Sequence, residues 1–192
     1  MKTTRLEAFS DGVIAIIITV MVLEMKVPHG ARWADLAPLW PVLLSYVLSF
    51  ANVGIYWNNH HHMLHAAQAI TGPVMWANLH FLFWLSLMPF ATGWVGENHF
   101  APLPMAVYGV DLAMCAIAYT ILQAVFVRVP GNKLLERAVR QNLKEWGSLL
   151  AYLAAIPLAF VHVAISGALY VGVALAWFIP DPRIEKEIEG KK

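Results

Sequence analysis

Apolar runs of about 17 to 25 residues, the length an α-helix needs to cross the hydrocarbon core of a bilayer, recur along this chain and leave it few alternative folds. The first spans 6–27. A turn carrying Pro28, Gly30 and Pro38 separates it from a second, 39–64, and Thr71-Gly72-Pro73 introduces a third, 74–95. Gly96 to His99 and prolines 102 and 104 precede a fourth, 105–127, and a charged connection follows, Arg128 to Glu145. The last apolar stretch, Trp146 to Ile179, is too long for one crossing at about 1.5 Å per residue, and it is expected to be a tight hairpin, 146–162 and 165–180, turning near His162 to Ser166. Composition agrees, because 59% of the residues are apolar and 13% charged, where soluble domains carry about one-quarter charged residues. The expected fold is therefore an all-α membrane protein of six transmembrane helices, organised as one domain over 1–192.

The basic residues orient it. Lys and Arg are retained on the cytoplasmic side of a membrane. With both termini inside, eleven of the thirteen fall there: Lys2, Arg5, Arg128, Lys133, Arg137, Arg140, Lys144, Arg183, Lys186, Lys191 and Lys192. Only Lys26 and Arg32 fall outside. A multi-pass protein of the cell membrane with both ends cytoplasmic is expected, its first helix retained because no small-residue cleavage site follows it. The net charge of +1 gives no pull toward nucleic acid, and the lone Cys115 allows no intrachain disulfide.

At 100° per residue, Phe9, Gly12, Ile16, Thr19, Val20, Leu23 and Val27 share one stripe of the first helix, while Asp11 points well away from it. By itself such a stripe reads as a packed or lipid-facing surface. Asp11 carries more information, since a carboxylate inside a membrane needs a donor. Arg5 and a histidine of the second helix are the candidates, and anchoring the helix and serving the function are equally open to it.

The run Arg5, Phe9-Ser10-Asp11-Gly12-Val13, Ala15-Ile16 and Thr19 fixes nine positions in fifteen and resembles the first-helix signature of the transmembrane protein 175 family of potassium channels. Trp57 and His60 on the second helix, and Asn78 and Pro89-Phe90 on the third, follow that family's pattern more loosely. The resemblance implies a single six-helix unit of prokaryotic type, assembled as a homotetramer in membrane lipid, with the first helix lining a central pore. It implies a cation channel that prefers potassium weakly over sodium and is neither an enzyme nor dependent on a cofactor or metal, with potassium as its permeant ion. By position, Ile16 forms the main constriction, Thr19 a hydroxyl ring and Leu23 a further apolar ring, with Gly12 and Val20 on the same lining. Arg5, Ser10, Asp11 and His60 form the ion-pair and hydrogen-bond network that holds the helix. No Thr-Val-Gly-Tyr-Gly filter loop of ordinary potassium channels occurs in the chain, so selection falls to this helix, gated by dewetting between apolar side chains.

Two other readings compete. His61 and His65 stand at i, i+4, a spacing that can hold a transition metal, and His80 on the next helix can join them. A metal-dependent membrane enzyme also needs carboxylates around an open site, which this region does not group. Asp111, within the fourth helix, suggests the relay of a proton-coupled transporter, although the paired broken helices of such proteins are missing; the plainer reading is a snorkelling or hydrogen-bonded residue near the outer surface. Glu24 either concentrates cations at the outer end or pairs with Lys26 or a neighbouring subunit. Trp33, Trp40, Trp94, Trp146 and Trp177 lie where an interfacial belt is expected.

Overall fold

The computed structural model describes residues 3–67, 69–130 and 143–178. Among them all regular structure is helical: α1 (Thr3–Leu23), α2 (Trp33–Leu36) with a single 3-10 turn (Ala37–Leu39), α3 (Trp40–Ala66), α4 (Gly72–Leu85), α5 (Met88–Glu97), α6 (Pro102–Val127), α7 (Leu143–Val161) and α8 (Val163–Phe178). A proline occupies the first turn of α3, α4, α5 and α6, where its missing N–H costs nothing and its fixed φ favours the helix. Four stretches are long and apolar enough to cross a membrane: Thr3–Leu23, Trp33–Ala66, Gly72–Glu97 and Pro102–Val127. The remaining two, α7 with 19 residues and α8 with 16, make the expected hairpin. Its arms are antiparallel, because Ser166 Oγ donates to the Ala155 carbonyl at 2.9 Å near the turn and Trp177 Nε1 donates to Ser148 Oγ at 2.9 Å near the open end.

The structure departs from the expected boundaries in three places. Helix α1 stops at Leu23, so Val27, 82% exposed, lies beyond the helix and off its stripe. Pro28 disfavours helical φ/ψ at the preceding residue, and Lys26 Nζ reaches Glu97 Oε1 on α5 at 2.7 Å. The third crossing breaks at Ser86–Leu87, since Pro89 has no N–H for the Leu85 carbonyl and its ring crowds it; Ser86 Oγ instead donates to the Phe83 carbonyl at 2.7 Å. The hairpin turns at His162 alone, and Ser166 is already inside α8.

Lipid removes the hydrophobic drive between helices, leaving close packing and hydrogen bonds to hold them together. Both are visible where α3, α5 and α6 meet. Thr92 Oγ1 pairs with Ser49 Oγ at 2.7 Å, and Ser49 Oγ pairs with the Tyr108 hydroxyl at 3.0 Å. Beside them α5 approaches α3 so closely that a Cβ on Gly96 would lie 2.6 Å from Val42 Cα and 2.7 Å from Ser45 Oγ. On α6, Asp111 is buried inside the bundle, and neither carboxylate oxygen takes a hydrogen bond among the described residues. It does not snorkel, and no hydrogen-bonded relay reaches it among the described residues.

Candidate functional site

Helix α1 has two faces of different character. Leu6, Ser10, Ile14, Ile17 and Met21 recur every three or four residues and are buried against α3, α4 and α5. On the other side Phe9, Gly12, Ile16, Thr19, Val20 and Leu23 are all exposed in the subunit, Ile16 at 62% and Leu23 at 79%. The stripe read from the sequence is thus the uncovered face of α1 as far as Leu23. Thr19 Oγ1 donates its proton to the Ile16 carbonyl at 2.9 Å. That bond uses the hydroxyl's only hydrogen and leaves its oxygen lone pairs for another ligand.

The polar anchors sit at the amino-terminal end of α1. Asn78 on α4 uses both ends of its amide: Nδ2 donates to Ser10 Oγ at 3.0 Å, and Oδ1 accepts from His60 Nε2 on α3 at 2.7 Å. Ser10 Oγ passes its own proton to the Leu6 carbonyl at 2.9 Å. Ser10, His60 and Asn78 are each fully buried, and the His60 ring stacks on Phe81. Nδ1 of His60 has no hydrogen-bond partner among the described residues. Asp11 is held separately, its Oδ1 accepting from Trp57 Nε1 at 2.9 Å.

Of the four residues expected to form one network, the structure therefore joins Ser10 to His60 through Asn78, ties Asp11 to Trp57, and leaves Arg5 exposed with no hydrogen bond or ion pair among the described residues. Asn78 and Trp57 stand in the sequence as marks of resemblance, but helical periodicity assigns faces and cannot name partners on other helices. His80 does not join the histidines of α3; its Nε2 accepts from Trp84 Nε1 at 3.0 Å. At the opposite end Glu24 is exposed in the wall of a cleft of about 290 Å³ beside Lys26 and Glu97, and Lys26 pairs with Glu97 rather than with Glu24.

A family model described as the endosomal/lysosomal potassium channel TMEM175 matches residues 5–89, which include every anchor just described. A potassium channel of Chryseobacterium sp. is 53% identical over 190 residues, 98% of this chain and 99% of that one. The chain belongs to the TMEM175 family. A potassium channel of Streptomyces collinus is 35% identical over 129 residues, 63% of each chain. The crystal structure of a lysosomal potassium-selective TMEM175 homologue from Chamaesiphon minutus matches with a TM-score of 0.81 at 27% identity, covering 92% of this chain and 96% of that one. TMEM175 membership makes the chain a relative of ion channels, not of enzymes.

Proposed function

We propose that this chain forms a potassium-selective cation channel, a homotetramer in the cell membrane with α1 of each subunit lining a central pore. The observation that carries the reading is the uncovered face of α1: its other side is packed, Ser10 and Asp11 are bonded to neighbouring helices, and the exposed stripe holds Gly12, Ile16, Thr19, Val20 and Leu23. Two close relatives are named potassium channels and span most of this chain or nearly two thirds of it. The whole chain acts as one six-helix domain, with both termini cytoplasmic as its basic residues require.

In this arrangement four Ile16 side chains close the path by excluding water, and Leu23 adds a second apolar ring toward the outer end. Hydrophobic constrictions gate by dewetting, so a modest outward movement of the four helices rewets the path. Thr19 stands between the rings with its proton already committed to the Ile16 carbonyl, and its oxygen replaces part of the hydration shell of a passing ion. Potassium gives up water more readily than sodium, and the resulting preference is weak. Potassium is the only ligand this mechanism uses, and no cofactor takes part. A proton-coupled transporter would need a relay, and Asp111, its candidate, has no hydrogen-bonded neighbour among the described residues.

The test is potassium flux from liposomes containing the purified protein, measured against sodium under the same gradient. Faster potassium than sodium flux supports the reading. Equal leak from protein-free and protein-bearing liposomes contradicts it.

A further inference from the structure

At the amino-terminal end of α1 stands a group of side chains that the conduction path does not use. Glu7, one turn before Asp11, places Oε1 3.0 Å from Nδ1 of His61 on α3. His65 lies one turn along α3 from His61, with their rings stacked at 5.7 Å between centroids. One ligand atom from each of Glu7, His61 and His65 lies within 4.8 Å of the other two. Around a four-coordinate zinc ion, with ligands at about 2.0–2.2 Å, neighbouring donor atoms stand about 3.3 Å apart, so small side-chain rotations bring the three to one centre. His65 is exposed and free to make them.

The donor set and its support are specific. Two imidazoles and one carboxylate are a recurrent protein ligand set for zinc when a water takes the fourth position, whereas calcium and magnesium are held by oxygens. The ligands come from two helices, so an ion here is a cross-link. His61 is steadied from behind by the Trp57 ring, stacked at 5.9 Å, and Trp57 is itself bonded to Asp11; partners that fix a ligand's orientation strengthen a metal site. The sequence pairs His61 with His65 but gives no sign that the carboxylate arrives from α1, four residues ahead of Asp11.

We propose that Glu7, His61 and His65 bind a divalent transition metal ion of the zinc class, one per subunit, and that the bound ion fastens the amino-terminal end of α1 to α3. The binding claim stands on geometry alone. Its consequence rests on the channel reading above: α1 cannot shift against α3 without changing the distance from Glu7 to the two imidazoles, so the bound ion holds α1 in its closed-pore position and lowers potassium flux.

Calorimetric titration of zinc chloride into the purified, assembled protein, freed of any polyhistidine tag, tests the site. One zinc ion per subunit is expected, with affinity reduced at least about tenfold in Glu7→Gln and in His65→Asn, unchanged in His62→Asn and His80→Asn, and with no competition from magnesium. Affinity that is unaltered in both Glu7→Gln and His65→Asn overturns the assignment, as does an equal loss in His62→Asn. The size-exclusion profile of each variant confirms assembly, and the exposed position of His65 keeps its replacement out of the packing. Zinc added to potassium-loaded liposomes then tests the clamp: slower flux in the wild type and no response in Glu7→Gln support it. Undiminished wild-type flux with zinc bound overturns the clamp and leaves the site, whereas no flux even without zinc overturns the channel reading and leaves the binding result intact.

Discussion

Trp57 Nε1 donates to Asp11 Oδ1 at 2.9 Å, and this one bond ties the carboxylate of the first helix to the second crossing without involving Arg5 or His60. The carboxylate satisfied this way lies on neither the packed nor the uncovered face of α1, being half-buried between them. Trp57→Phe removes the donor and keeps most of the ring. It should lower stability by about 1 kcal/mol, the scale of interhelical side-chain bonds in membranes. Asp11→Asn should weaken assembly or lower open probability while leaving the potassium preference of the residual current intact. Thermal unfolding of Trp57→Phe, of Asp11→Leu, which removes the acceptor that Asp11→Asn keeps, and of the double variant provides the check: coupled losses fit the observed pair, and strictly additive losses contradict it.

Asn78 offers a sharper case because it serves two buried partners. Asn78→Ala leaves Ser10 Oγ without its donor and His60 Nε2 without its acceptor, in a place with no exposure to water. A loss of about 1–3 kcal/mol is expected for each polar group left unpaired in the interior. Melting followed by tryptophan fluorescence in detergent reads it. A variant as stable as the wild type would show that the bridge between α1, α3 and α4 contributes nothing.

Two glycines separate packing inside the subunit from packing outside it. Gly96→Ala places a methyl against the Val42 backbone and should destabilise the subunit by about 1–3 kcal/mol through overpacking. Gly12→Ala meets nothing within 4 Å in the subunit, so the isolated fold should tolerate it. If Gly12 faces other subunits and the pore, the same substitution alters assembly or conductance. Paired melting, size-exclusion and flux measurements on the two variants distinguish these outcomes, and a Gly12→Ala protein that unfolds like Gly96→Ala speaks against the face named here.

Topology is open to direct labelling. In a Cys115→Ala background, cysteines at Thr4 and Ala69 should react from the cytoplasmic side and cysteines at His99 and His162 from the outer side. Thr4 and Ala69 reacting from opposite sides would break the alternation on which the six-helix arrangement depends.

Much of this was legible in the sequence because crossing a bilayer imposes length and hydropathy on every helix. Six apolar segments, the hairpin, and the two faces of α1 follow from that constraint and from the 3.6-residue period. What failed depended on local chemistry or on distance in the chain. Val27 left the helix because of Pro28 and the pull of Glu97 on Lys26, and the third crossing broke at Pro89. Charge points Asp11 and His60 toward Arg5, whereas in the subunit Asp11 accepts from the indole of Trp57, 46 residues away, and His60 donates to the amide oxygen of Asn78, whose Nδ2 donates to Ser10, 68 residues away. The readings placed on Lys133, Arg137, Arg140 and the tail beyond Phe178 lie outside the described residues.

Thr19 tests the chemistry of selection apart from the width of the path. Thr19→Val keeps the shape and removes the oxygen whose proton is held by the Ile16 carbonyl. Potassium current or its preference over sodium should fall with no rise in resting conductance, measured in planar bilayers. Unchanged preference would assign selection to another part of the chain.

The central claim is that the uncovered face of α1 lines the pore, and Ile16 and Ile17 test it most directly because they adjoin in the chain yet are 62% and 4% exposed. Planar-bilayer recordings under a potassium and sodium bi-ionic gradient, on tetramers of confirmed assembly, should show Ile16→Asn raising resting conductance and eroding the potassium preference, since one polar atom per subunit wets a dewetted ring. Ile17→Asn, which buries an amide in the packed face, should mainly cost stability or assembly. Ile16→Asn channels that match the wild type in both conductance and preference, beside Ile17→Asn channels altered in both, would put the pore on the other face of the helix.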